Sequence, residues 1–265
     1  MNLTKKTLAV LLALLLAAPL ALPMAAHAEP VGSPAVAPVT PVIEEEEVIE
    51  TPPTIAEEVV VDLSDVSPDT KPEDVQKLVV AAESVQMPEP ENEEEKQAQE
   101  AALQNAVDSI SEETKQQENQ DAAAALVATG LLTLNEDGTL PEDVRIKVER
   151  VINLEVKPQL IDGNLKFDIS ASYNVVASVE GQEGSVTLPE SKPVEVTEPI
   201  KVSIDLPEGL LDQDYLFVTQ QLNGKSVTDR VELGEAKDGV RPLVFTSCIP
   251  FEITTTDPNE TVPAN

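Results

Sequence analysis

The chain has no tryptophan, one histidine, one cysteine and only six aromatic side chains among 265 residues. A zinc site built from His and Cys ligands has too few donors here. A single Cys cannot close an intramolecular disulfide, and Cys248, in a strand-like segment, is expected to be a buried apolar thiol. The aromatics (Phe167, Tyr173, Tyr215, Phe217, Phe245, Phe251) all lie between residues 167 and 251. Aromatic rings bury large apolar areas, so a packed core is expected in the C-terminal half. Positive charge is scarce as well: 17 Lys and Arg stand against 49 Asp and Glu, for a net charge of −32. Such a field repels polyanions and excludes nucleic acid as a partner.

The one histidine lies in an N-terminal segment with the pattern of a secretory signal peptide. Lys5 and Lys6 supply a basic start, Leu8 to Leu22 an apolar stretch, and Ala26-His27-Ala28 a small-x-small cleavage site before Glu29. Pro19 and Pro23 break the apolar run short of the ~20 residues that a spanning helix needs, an uncleaved anchor being the alternative. Cleavage after Ala28 predicts a secreted, extracellular protein and removes His27 with the leader. The chain ends in the polar stretch Thr254–Asn265, so no membrane span is expected after cleavage.

Composition divides the remainder. Residues 29–70 read as a disordered acidic linker, with seven prolines and the run Glu44-Glu45-Glu46-Glu47. Its valines and isoleucines at 42–43, 48–49 and 59–61 offer an added edge strand as a second possibility. Residues 71–130 read as weak helices. Thr70-Lys71-Pro72-Glu73 has capping-box spacing, and Val75, Leu78, Val79 and Ala82 form one face. A second helix is expected from Asn92 to Ser111, and a third from Asp121 to Thr129, closed by Gly130.

Residues 131–255 read as β. From Ile146 the even positions are apolar (Ile146, Val148, Ile152, Leu154, Val156), with Arg150 the exception. After Asp162-Gly163 the odd positions take over, at Leu165, Phe167, Ile169, Ala171, Tyr173 and Val175. A two-residue Asp-Gly turn pairs Ile161 with Asn164 and puts both apolar sets on one face, Val156 against Ile169 and Ile152 against Tyr173. Further strands are expected over Ile200–Leu206, Tyr215–Leu222, Val227–Leu233 and Leu243–Ile253, with turns at Asn223-Gly224 and Asp238-Gly239. Pro250 marks an edge strand or a bulge. The fold expected is mainly β: a C-terminal antiparallel, immunoglobulin-like β-sandwich preceded by the helices and the linker. An open antiparallel sheet capped by a helix is the alternative. Residues 256–265 read as a disordered tail.

The segment Ile200-Lys201-Val202-Ser203-Ile204-Asp205-Leu206-Pro207 and the closing Pro250-Phe251-Glu252-Ile253 resemble strands of small immunoglobulin-like β-sandwich modules in exported or wall-associated proteins of Gram-positive bacteria. Ile249 stands where those modules carry a serine. The resemblance covers about residues 195–255 and implies a surface or secreted structural module without catalytic residues.

Chemistry has few footholds. Nucleophilic catalysis usually needs a base beside the nucleophile, most often His, which the cleaved chain lacks. No phosphate-cradling glycine loop is present. Paired carboxylates leave a glycosidase-like secreted hydrolase open, though spacing selects no pair among 49 acids. Calcium is the one cofactor that the acidic loops suggest. Asp205, Asp212 and Asp214 are the candidate ligands, with Asn135, Glu136 and Asp137 a second stretch, and ordinary turns explain both. The expected function is an exported non-enzymatic structural or binding module without cofactor, its acidic stretch a spacer and its partner a protein or envelope component. Loops or an exposed strand edge, the last strand's among them, are the expected binding surfaces. An accessory subunit docking through its helices is a third reading.

Overall fold

Two sixteen-residue strands, Ile146–Ile161 and Asn164–Val179, form the spine of the protein. They pair in the predicted register, Ile161 opposite Asn164, Val156 opposite Ile169 and Ile152 opposite Tyr173. Asp162 and Gly163, at φ 50° and 81°, supply the two left-handed residues that a type I′ turn requires. The computed structural model describes residues 41–207, 209–210 and 213–259. Residues 1–28, read from the sequence as a signal peptide, and residues 29–40 and 260–265 lie outside the described residues.

In chain order the strands are β1 (Val48–Glu50), β2 (Thr54–Ile55), β3 (Val60–Val61), β4 (Val85–Gln86), β5 (Ile146–Ile161), β6 (Asn164–Val179) and β7 (Ser185–Thr187). Then follow β8 (Lys192–Val194), β9 (Val196–Pro207), β10 (Tyr215–Leu222), β11 (Lys225–Glu232), β12 (Val240–Ile249) and β13 (Phe251–Thr254). The helices are α1 (Pro72–Glu83), α2 (Glu93–Asp108) and α3 (Glu112–Ala128). The architecture is mainly β, with curled sheets. One sheet runs β1-β5-β6-β13-β10-β11, with β2 and β3 also on β5 and β7 and β8 on β6; the other runs β12-β9-β4.

Residues 48–61 depart from the linker reading and follow the second possibility, an added edge strand. β1, β2 and β3 lie parallel to β5, with Val48 opposite Ile146, Thr54 opposite Val151 and Val60 opposite Glu155. Directly after each of them the backbone N–H groups of Thr51, Ala56 and Asp62 donate to the carbonyls of Val148, Ile152 and Val156. The acidic, proline-rich stretch is a strap along the hairpin because β5 offers an unpaired edge for its whole length. Ile43, Val48, Ile55, Val59 and Val61 pack against the core.

The three helices form, with adjusted ends. Pro72 takes the first helical position and holds Lys71 extended before it, so Lys71 is the N-cap and the predicted capping box from Thr70 is not made. Ser111 caps α3 by accepting from the Thr114 N–H, and α3 therefore starts nine residues before the predicted Asp121. Gly130, at φ 77°, closes α3 as expected, its N–H donating to Val127 O and the Leu131 N–H to Leu126 O. Leu78, Ala102, Leu103, Ala106, Ala122 and Leu126 are buried in the same core as the strands, so the helices cover this chain's own sheets.

The last predicted strand is two strands in different sheets. β12 pairs with β9 through Leu243 opposite Ile204, shifts register between Ser247 and Ile249, and passes a cis Ile249–Pro250 bond. β13 then lies between β6 and β10, with Phe251 opposite both Ile169 and Gln220. The edge expected at the end of the chain is thus an interior strand; β11 and β12 each end a sheet, with β1 and β4 at the opposite ends. The Asn223-Gly224 turn joins β10 to β11 as predicted. At Asp238-Gly239 the turn closes a single bridge, Lys237 with Val240, and the chain leaves for the second sheet. Residues 256–259, assigned to a disordered tail, make a turn in which the Asn259 N–H donates to Asp257.

Candidate functional site

The break in the apolar alternation of β5 marks the most concentrated group of ionisable side chains in the core. Arg150 points inward like its even-numbered neighbours and is buried. Its Nε donates to Glu118 Oε2 at 3.1 Å; its Nη2 lies 2.9 Å from the same oxygen, out of line for a hydrogen bond. Its Nη1 donates to Glu50 Oε2 at 2.6 Å. Glu118 is buried too, and its Oε1 accepts from the Tyr173 hydroxyl at 2.6 Å and from Lys192 Nζ at 3.1 Å. Five elements therefore converge on two carboxylates and two cations: the strap through Glu50, α3 through Glu118, and β5, β6 and β8.

This group is balanced in charge, and of its buried donors Arg150 Nη2 alone is left with an ion-pair contact in place of a hydrogen bond. An isolated buried carboxylate would cost several kcal/mol; here Glu118 receives donors on both oxygens. Burial, and then the bond to Glu118, push the Tyr173 phenol well above its ordinary pKa, holding it as a neutral donor. Glu50 and Glu118 sit at opposite ends of one guanidinium, an arrangement that neutralises both rather than leaving an acid and a base flanking a bond. A surface cleft of about 280 Å³ nearby is lined by Ile43, Glu44, Glu45, Val48, Gln116 and Asn119.

Sequence reasoning singled out Arg150 as an exception without giving it a partner. Glu118 escaped because α3 was expected to begin after it. Its signal is the spacing Lys115, Glu118, Ala122, Leu126, which puts Glu118 on the buried stripe of a helix starting at Ser111.

The calcium candidates are placed apart from this group. Asp205 lies within β9 opposite Pro242, and Asp214 accepts from Arg241 Nη2 at 2.8 Å. Asp212 lies outside the described residues. In the second stretch Asp137 Oδ1 accepts from both the N–H and the hydroxyl of Thr139, hydrogen bonds that hold its carboxyl below the usual range. Asn135 Nδ2 donates to Thr139 Oγ1 and to the Leu140 carbonyl. Among the described residues no three His, Cys, Asp or Glu side chains are grouped to hold a metal ion.

Cys248 is buried, its thiol 3.0 Å from the Thr197 carbonyl and pushed up in pKa by burial. Beside it Ser247, the gap in the predicted apolar run, donates to Gln220 Oε1, which also accepts the Cys248 N–H. Two further clefts flank the start of α2. One of about 470 Å³ is lined by Pro90, Asn92, Lys96 and Leu103, the other of about 270 Å³ by Pro88, Ala98, Pro199, Lys201 and Thr246. Lys201 bonds to Glu91. Among the described residues no helix is long and apolar enough to cross a membrane. Compared with family models, curated proteins and solved structures, the chain matches none.

Proposed function

We propose that this chain is an exported, non-catalytic binding or structural module, released by cleavage after Ala28. In this reading β4, β9 and β12 form one layer of a small immunoglobulin-like sandwich, with β13, β10 and β11 as its other layer. The crossing of the chain from β12 to β13 at Ile249–Pro250 supports that layering, since strands that switch sheets form the corners of sandwiches.

The observation that carries the non-catalytic part is the pairing of Arg150 with Glu118. Among the described residues these are the only buried charged side chains, and they neutralise one another under α3. A catalytic carboxylate pair would instead flank a cleft with one member free to exchange a proton. Docking through the helices has less support, because their apolar faces meet this chain's own strands.

The test is N-terminal sequencing of the protein recovered outside the cytoplasm of a secreting host. A mature N-terminus at Glu29 is expected. Retention in the cytoplasm with Met1 or Asn2 first would overturn the exported reading.

A further inference from the structure

Two of the six aromatic rings are held off the core. Phe167, Tyr173 and Phe251 are buried, and Phe245 packs edge-on against Phe251 with ring centres 5.2 Å apart. Tyr215 and Phe217 point the other way. Along β10, Leu216, Val218 and Gln220 are turned inward and buried, which leaves Tyr215, Phe217 and Thr219 half-buried on the outward face. Their rings meet edge to face, 5.6 Å between centres.

Strand pairing extends this face sideways, because residues directly opposite share a face. Phe217 is opposite Arg230 on β11 and Thr254 on β13, and Thr254 is opposite Lys166 on β6. Thr219 is opposite Thr228 and Glu252, and Glu252 is opposite Asp168. The Arg230 guanidinium lies 3.8 Å from the centre of the Tyr215 ring and donates to Glu232. The hydroxyls of Thr219 and Thr228 are 2.9 Å apart, and Lys166 Nζ lies 2.6 Å from Glu252 and 3.2 Å from Asp168.

Rings on an outward face forgo the burial that makes aromatics valuable to a fold, which points to a contact outside the chain. The local charge narrows the partner. Arg230 and Lys166 stand among Glu232, Asp168 and Glu252, so the face is close to neutral on a chain of net −32. A polyanion meets repulsion from the rest of the chain and finds no excess of cations here. Two rings are too small a patch for an apolar protein interface, whose core joins several large side chains. A neutral polyhydroxylated chain fits both features. One of its C–H faces lies on the Phe217 ring, which stands at 87° to Tyr215, and its hydroxyls meet Thr219, Thr228, Glu252 and Arg230, set on strands about 4.8 Å apart.

We propose that the outward face of β10, β11 and β13 binds a neutral polysaccharide, with Phe217 as the stacking ring, Tyr215 standing at 87° beside it, and Arg230, held over the Tyr215 ring, as an oriented donor. The proposal rests on the binding-module reading and gives that module its partner class.

The experiment is affinity electrophoresis of the full chain in native gels containing hydroxyethyl cellulose, galactomannan, xylan or, as a polyanion, polygalacturonate. Retardation by at least one neutral polymer and none by polygalacturonate is expected. Phe217→Ala and Tyr215→Ala are each expected to weaken it about tenfold, as truncation of a central aromatic contact does, with Phe217→Tyr retaining binding and circular dichroism unchanged in all three. No retardation in any neutral gel, retardation by polygalacturonate alone, or retardation indifferent to Phe217→Ala would each overturn the proposal. So would concentration-dependent dimerisation in sedimentation that Phe217→Ala abolishes, which would assign the face to a second copy of the chain. Each of these failures would leave the exported reading standing, since a mature N-terminus at Glu29 is read independently.

Discussion

Arg150 and Glu118 are buried together, 32 residues apart in sequence, and the bond between them fastens α3 to the inner face of the long hairpin. The other end of the guanidinium holds Glu50 of the strap at 2.6 Å. One side chain on β5 thus joins a helix and a strap to the hairpin that carries it. Its contribution is asymmetric: removing one member leaves an uncompensated charge in the core, whereas an apolar pair of similar volume is tolerated.

Arg150→Met is therefore expected to destabilise the fold by about 3–5 kcal/mol, the usual range for breaking a buried pair. The double variant Arg150→Met/Glu118→Leu should lose clearly less than the sum of the two single changes. Equilibrium urea unfolding of the four proteins reads the difference; additive losses would mean that the two side chains are not coupled.

Tyr173 gives the same cluster a pH signature. Its phenol is raised by burial and by its bond to Glu118, so the folded protein holds the phenolic proton more tightly than the unfolded chain. The stability linked to it is fully present below the unfolded phenol's pKa of about 10 and is lost as the pH rises beyond that. In a Tyr215→Phe background, phenolate absorbance should appear only together with loss of the fold. Tyr173→Phe should flatten the alkaline fall in stability.

The β5–β6 hairpin was almost wholly legible in the sequence. Its strands alternate with period two, and Asp162-Gly163 forces a two-residue turn, so one register alone buries both apolar sets. The strap was legible only as the second possibility, an edge strand from its valines and isoleucines: β1, β2 and β3 are two or three residues long and pair with β5 some 95 residues away, while their acids and prolines read locally as linker. Glu118 was visible only once Ser111 was recognised as a cap. The division of the last strand was hidden because apolar alternation runs on through Leu243, Ile249 and Ile253 although the chain changes sheets at Pro250.

The turn itself supplies a simple check. Gly163 sits at φ 81° with no neighbour near the position of an added Cβ, so Gly163→Ala meets backbone strain and no clash. A loss of about 1 kcal/mol is expected. Asp162, at φ 50°, is already a strained position, and Asp162→Gly should cost far less. Urea midpoints with unchanged slope would measure both.

That the strap, the helices and the sheets share one core is tested most directly by limited proteolysis with mass spectrometry of the resistant fragment. The shared packing of Ile43, Leu78, Leu126 and Ile152 predicts a fragment that begins at or before residue 43 and retains α1, α2 and α3. Arg150→Met should expose the strap to cleavage first. A resistant fragment of the wild-type chain that begins at residues 130–145, with the strap and helices digested away, would contradict the claim.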